Sequence, residues 1–213
     1  MNKNEKFVIT INRELGSGGR TVGELLAQRL GVPFYDKALV KSLQERFQLS
    51  IDDIERLKGR NHSWWAEFRR SMNIGYAASQ STNFHVMTTE KPDMLTTDEV
   101  FKAECEILRG MAESESCIVA GRSGFWVLRN HPNHLSIFIQ ASKAHRIARV
   151  AEKKGIGQAE AEAIIEEVDK MRENYVQRYT GTSRYDTRNY DLVINMNGKS
   201  EEQAADLIMN YIG

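Results

Sequence analysis

The sequence predicts a three-layer α/β fold with a central parallel sheet covered by helices on both sides. Three observations predict it. Short apolar, β-branched runs at 7–12, 117–120, 135–139 and 192–195 alternate with helical patterns. Those runs are too uniformly apolar to keep one face wet, which is the pattern of strands buried on both sides. No internal repeat or linker divides the 213 residues, so one domain, 1–213, is expected.

The elements follow in order. Residues 7–12 read as a buried strand, and a glycine-rich turn leads out of it. From Thr21, apolar residues fall at Val22, Leu25, Leu26 and Leu30, the spacing of one helical face, and Gly31 supplies the stop. Residues 32–36 form a short strand or loop, followed by a helical pattern over 37–47. Ser50-Ile-Asp-Asp53 has the form of a capping box opening another short helix. Periodicity is lost over 59–96, where Trp64, Trp65, Phe68 and Pro92 fall, and broken helices with a mobile loop are expected there. A helix returns over 97–112 with Val100, Phe101, Ile107, Leu108 and Met111 facing inward. Then come the strand at 117–120, a turn at Gly121, the strand at 135–139 and a helix opening near Ser142. Residues 158–178 form a strongly charged helix, and 192–195 is the last strand. Ser200-Glu-Glu-Gln203 caps a closing helix with Ala204, Leu207, Ile208 and Tyr211 on one face.

Composition narrows the function. Lys plus Arg equals Asp plus Glu at 29 each, so nothing in the charge balance calls for a nucleic-acid backbone or an anionic membrane as partner. Cys105 and Cys117 form no C-x-x-C unit and read as free thiols in a reducing compartment. The apolar run 7–11 is too short for a signal-peptide core, and no later stretch reaches membrane-spanning length. A cytoplasmic protein acting on small molecules is expected, with oligomeric state left open. His131-Pro-Asn-His134 carries two histidines three apart, but the proline and adjacent turn favour a surface loop over a metal pair.

The segment between the first strand and the first helix carries the chemistry. Gly16, Gly18 and Gly19 let the backbone turn tightly and aim N–H groups inward, with Ser17 between them. The helix beginning near Arg20 adds its positive dipole end, so the loop reads as an anion nest, with Thr21 offering a hydroxyl where phosphate loops hold Mg²⁺; from the loop alone, a glycine-rich turn that merely connects strand to helix is the alternative. The loop departs from the Gly-x4-Gly-Lys-Ser/Thr pattern: Arg13 stands in the region of the first glycine, Gly19 and Arg20 in that of the lysine.

Ile9-Thr-Ile-Asn-Arg-Glu-Leu-Gly-Ser-Gly-Gly-Arg-Thr-Val-Gly23, continuing through Leu25 to Asp36, closely resembles the cytidylate kinase-like family. In this branch of the P-loop nucleoside-monophosphate kinases the loop reads R-E-x-G-S-G-G-R. The likeness extends to Val119-Ala-Gly-Arg-Ser123, to Ile137-Phe-Ile-Gln-Ala-Ser142 with Arg146 and Arg149, and to Tyr179-Thr-Gly181 leading to Tyr190-Asp-Leu-Val-Ile-Asn195. The resemblance implies a P-loop kinase fold with a small acceptor-binding lobe within about 37–115 and an arginine-bearing lid within about 143–185.

It also implies site residues. ATP phosphates would lie over Gly16–Thr21, with Mg²⁺ near the Thr21 hydroxyl and Arg20, with Arg13, supplying the charge that lysine usually provides. In cytidylate kinases proper, Gly121-Arg-Ser123 is matched by Gly-Arg-Asp, which contacts the acceptor. Arg122 carries over, either as an acceptor contact or as a structural ion pair, while Ser123 lacks the carboxylate and loosens the implied choice of cytosine. Arg146 and Arg149 would open the lid, with Arg172, Arg178 and Arg184 further along as phosphate clamps. Relatives often show Thr-Gly-x-x-Trp where this chain has Thr180-Gly-Thr-Ser-Arg-Tyr185. Asp36 either orients the acceptor or a magnesium-bound water, or caps the helix from Lys37. Trp64, Trp65 and Phe68 favour a small satellite core over base stacking. The expected activity is ATP- and Mg²⁺-dependent phosphoryl transfer to a nucleoside monophosphate, CMP or dCMP first. Two alternatives stand beside it: another small-molecule acceptor, motivated by Ser123, and a non-catalytic nucleotide-binding regulator, motivated by the absent lysine.

Overall fold

A computed structural model describes residues 1–36, 97–121 and 123–213. The expected helices over 37–47 and at 50–53, the stretch 59–96 with its tryptophans, and Arg122 lie outside the described residues.

Five strands form one sheet among the described residues: β1 (Val8–Arg13), β2 (Phe34–Tyr35), β3 (Cys117–Ala120), β4 (His134–Gln140) and β5 (Leu192–Asn195). All pairings are parallel, in the order β2-β3-β1-β4-β5. Consecutive strands β3 and β4 therefore flank β1 on opposite sides, and the carboxyl end of β1 is a topological switch point, where open α/β sheets bind ligands.

Side chains alternate along each strand, so each run feeds two cores. On one face Ile9, Ile11, Ile118, Ile137, Ile139 and Ile194 pack against helices α1 (Gly19–Leu30) and α6 (Glu201–Ile212). On the other, Val8, Tyr35, Cys117 and Val119 pack against Ile107, Leu108 and Met111 of α2 (Thr97–Ser114) and against Val127 of the short α3 (Gly124–Val127). That is the expected three-layer arrangement. Helices α4 (Lys143–Lys154) and α5 (Gln158–Thr180) make a hairpin, joined by Val150, Ala161 and Ile165 in a smaller core that includes Leu15 of the glycine-rich turn.

The caps explain several boundaries. Ser142 Oγ accepts the His145 N–H and starts α4. In α6 the capping box is complete: Ser200 Oγ accepts from Gln203 N–H at 3.2 Å, and Ser200 N–H donates to Gln203 Oε1 at 2.9 Å. The buried face of α6 differs from the expected one. Ala204, Ala205, Ile208 and Ile212 face the sheet, while Leu207 and Tyr211 are 46% and 55% exposed. Ala204 and Ala205 share one core with Val22, Leu26 and Ala27 of α1, and Leu207 and Tyr211 lie outside it. His134 also departs from the expected surface loop: it opens β4, half-buried, with Nε2 2.7 Å from Thr10 Oγ1.

Candidate active site

The turn between β1 and α1 is built by contacts that a side chain would block. Gly16 and Gly18 both have φ +83°, and a Cβ on Gly16 would stand 2.8 Å from the Arg146 carbonyl of α4. On Gly19 it would stand 2.7 Å from Arg13 Cβ. Ser17 is fully buried, with its hydroxyl donating to the Glu14 carbonyl at 2.9 Å. Glu14 Oε2 in turn accepts the Ala141 N–H, pinning the turn to the end of β4. The first intrahelical bond of α1 runs from Val22 N–H to Gly18 O, and Gly18 makes no side-chain cap. The N–H groups of the first turn therefore have no intrahelical acceptor, the condition in which a helix start suits an anion.

A cavity of about 420 Å³ opens beside this loop at the switch point. Asn12 and Arg13 of β1, Ala120, Gly121 and Ser123 line its floor, and Met171, Arg172 and Tyr175 of α5 stand over it. Arg13 thus belongs to both places: the root of its side chain lies against Gly19, and the residue lines the cavity. Gly121, at φ +84°, is where the chain must pass that guanidinium, since a Cβ there would lie 2.6 Å from Arg13 Nη1. Burial, then the like charge of Arg172, push the Arg13 guanidinium down to about 9. Arg172 is lowered as well, by burial and by Arg184. Guanidiniums held down this way are relieved by an entering anion.

Asp169 of α5 organises the cations. It is 7% exposed and accepts the Leu15 N–H at 3.1 Å and Arg146 Nη1 at 2.6 Å, with Arg172 and Arg184 within 3.6 Å. Arg184 is fully buried; its Nη2 donates to the Arg13 carbonyl, and its backbone N–H donates to Glu173 Oε2. Asn12 Nδ2 donates to the Tyr190 hydroxyl at 2.6 Å, which donates to the Arg184 carbonyl at 2.7 Å. Burial raises Tyr190 well above the usual phenol range, so that hydroxyl stays protonated.

The expected site residues therefore divide. Gly16, Ser17 and Gly18 form the loop and Gly19 and Thr21 the first turn of α1, while Arg13, Arg172 and Ser123 line the cavity and Arg184 lies buried against the Arg13 carbonyl. Arg20 turns to carboxylates, with Nε 2.9 Å from Glu24 and Nη1 2.9 Å from Asp36. Burial lowers the Arg20 guanidinium, but the hydrogen bond to Glu24 and the charge of Asp36 outweigh it and raise it overall. Asp36, 8% exposed, thus holds Arg20. Arg149 pairs with Glu201 of α6, whose carboxylate lies against Gly18. Arg178 stands apart at the end of α5, bound to Asp98 and stacked over Tyr179. Sequence reasoning missed Asp169, Asn12 and Tyr190. A signal existed for Asp169: it falls on the stripe Ala161, Ile165, Asp169, Val176 that α5 buries, a carboxylate at an apolar position.

A loop of this build beside an arginine-lined cavity has known counterparts. The family model described as the cytidylate kinase-like family matches residues 8–198. The chain belongs to that family. Among curated relatives, the cytidylate kinase of Sulfolobus acidocaldarius is 25% identical over 207 residues, covering 96% of this chain and 93% of that one. The cytidylate kinase of Thermoplasma volcanium is 22% identical over 207 residues, covering 96% and 90%. Among solved structures, an uncharacterized protein from Eubacterium ventriosum superposes with a TM-score of 0.70 at 24% identity, over 97% of this chain and 98% of that one. A shikimate kinase from Bacteroides thetaiotaomicron shares the fold at a TM-score of 0.50 and 15% identity, over 97% and 98%. Family membership supports a kinase of nucleotides or other small molecules. Among the described residues no helix is long and apolar enough to cross a membrane.

Proposed function

We propose that this cytidylate kinase-like protein transfers the γ-phosphoryl group of Mg·ATP to a nucleoside monophosphate seated in the cavity, with CMP or dCMP the first acceptors to test. The observation that carries the reading is the double placement of Arg13, under the phosphate loop and in the cavity wall. One cation there faces both the transferred phosphoryl group and the acceptor phosphate. An acceptor phosphate oxygen would form the new P–O bond as the bond to the β-phosphate oxygen breaks, giving ADP and a nucleoside diphosphate. Such a transfer needs alignment and charge neutralisation more than covalent help. The loop N–H groups and Arg13 supply part of both, and Asp169 keeps Arg172 and Arg184 in place. A magnesium ion would be held largely by phosphate oxygens, with the Thr21 hydroxyl in the first turn of α1 as the protein's hard oxygen ligand. Magnesium so held would neutralise charge on the phosphates.

ADP release from Mg·ATP, measured against CMP, dCMP, UMP, AMP and GMP with a no-acceptor background, tests the proposal. Stimulation by a cytidine monophosphate is the expected result. Tight ATP binding with no stimulation by any of them would sink it. The engagement of Arg20 by Glu24 and Asp36 favours a second reading, a nucleotide-binding regulator, which that same outcome would support.

A further inference from the structure

We infer that Glu201 is a positioning residue for the phosphate loop: its carboxylate holds the Arg149 guanidinium beside Gly18 and yields it to the phosphate chain of a nucleotide. The inference rests on reading the loop as the phosphate site.

Helix α4 runs along the loop. A Cβ on Gly16 would meet the Arg146 carbonyl at 2.8 Å and Val150 Cγ2 at 3.0 Å. One residue before Val150, Arg149 leaves the same helix toward α6, where its Nη2 pairs with Glu201 Oε1. A Cβ on Gly18 would stand 3.1 Å from that oxygen and 3.3 Å from Glu201 Cγ. The ion pair therefore lies against the loop, with one partner on each of two helices.

The partners are held differently. Glu201 is the first residue of α6, behind the complete capping box of Ser200 and Gln203, and a helix start favours a carboxylate there. The turn before α6 is tied to the start of α4, since Asn197 Oδ1 accepts the Ser142 N–H at 2.9 Å. Arg149 reaches this fixed carboxylate on a long side chain that is 33% exposed.

Among Arg146, Arg149, Arg172 and Arg178, Arg149 is the one placed to change partners. Arg146 is 9% exposed and bound to Asp169 at 2.6 Å; parting them would leave a buried charge uncompensated. Arg172 shares that buried carboxylate. Arg178 has an exposed partner in Asp98 but stands at the far end of α5. The Arg149–Glu201 pair combines access to solvent with a place on the loop. Partly solvated pairs of this kind are weak, and a phosphate chain offers a guanidinium stronger, two-pronged bonds.

Calorimetric titration of magnesium-free tripolyphosphate, and separately of Mg·ATP, into the full chain tests this without turnover. Glu201→Gln should tighten both about threefold, because the guanidinium no longer has to leave a carboxylate. Glu201→Ala should do the same, and covers the case in which glutamine keeps the arginine by a hydrogen bond. Arg149→Ala should weaken binding about threefold in the wild type but about tenfold in the Glu201→Gln protein, where no lost ion pair offsets the bond to phosphate. A merely structural role for the pair would weaken binding in both Glu201 variants. That result, unchanged affinity in both, equal costs of Arg149→Ala in the two backgrounds, or no binding of either ligand by the wild type would each overturn the inference. Binding as expected with no ADP release would leave Glu201 in its role and remove the kinase reading. ADP release with unchanged affinity in both Glu201 variants would do the reverse.

Discussion

At the scale of single residues, the site depends on what is missing at position 121. Gly121 lies in the left-handed region, and its hydrogen faces the end of the Arg13 side chain. Gly121→Ala should cost about 1–2 kcal/mol in a denaturant titration, from the backbone conformation alone. It should also push Arg13 off the cavity wall and raise the acceptor KM about tenfold, with ATP affinity changed much less. A variant with wild-type acceptor KM would show that Arg13 does not touch the acceptor. Asp169 shows the opposite dependence on a group that is present. It is a buried carboxylate with cations on three sides, and removing it would strand Arg146 in a dry environment.

At the scale of elements, β1 is wedged between β3 and β4, and its two ends do different work. The carboxyl end carries Asn12 and Arg13 into the site; the amino end holds Thr10 against His134 of β4. Burial, with a smaller push from His131, lowers the His134 imidazole to about 4, against the pull of Asp191. The unfolded chain titrates near the usual histidine value of about 6.5, so it binds the extra proton first as pH falls. Stability should therefore drop between about pH 6.5 and 4, and His134→Gln should flatten that slope in urea titrations across the range. Equal slopes for the two proteins would place the acid sensitivity elsewhere. The strands were legible because each is a compact apolar run: β3 and β5 match their expected bounds. Helix faces were less so. In α6, Leu207 and Tyr211 share the periodicity of the buried stripe's edge, and one helix's own sequence does not say which edge packs with Val22 and Leu26 of α1. The glycine-rich loop was readable because its constraint is local. The partners of Arg146, Arg149 and Arg184 were not, since Asp169, Glu201 and the Arg13 carbonyl lie well away along the chain; Arg172 stands three residues from Asp169 within α5, but its bond to the Arg13 carbonyl is equally distant in sequence.

At the scale of the molecule, the α4–α5 hairpin rests on the phosphate loop through Leu15, Val150 and Ile165 and through the Asp169 bond to Leu15 N–H. Nucleotide bound on the loop would thus be held by a surface that unfolding destroys. A non-hydrolysable Mg·ATP analogue at about 100 times its Kd should add about 2.7 kcal/mol. For a chain of this size that is a rise of about 5–10 °C in Tm. The analogue without magnesium should raise it less, and equal rises with and without the metal would argue against the Thr21 site.

Both cysteines of the chain are buried, Cys105 in α2 and Cys117 in β3, and burial raises the Cys105 thiol to about 11 and the Cys117 thiol further. A thiol so far from ionising reacts slowly with maleimides at neutral pH. The chain's own thiols should therefore stay silent to thiol dyes, and a cysteine introduced at an exposed position of α5, as in Glu167→Cys, should accept a fluorophore selectively in the otherwise wild-type sequence. A change in that fluorophore's signal on adding Mg·ATP would report whether the hairpin responds to nucleotide.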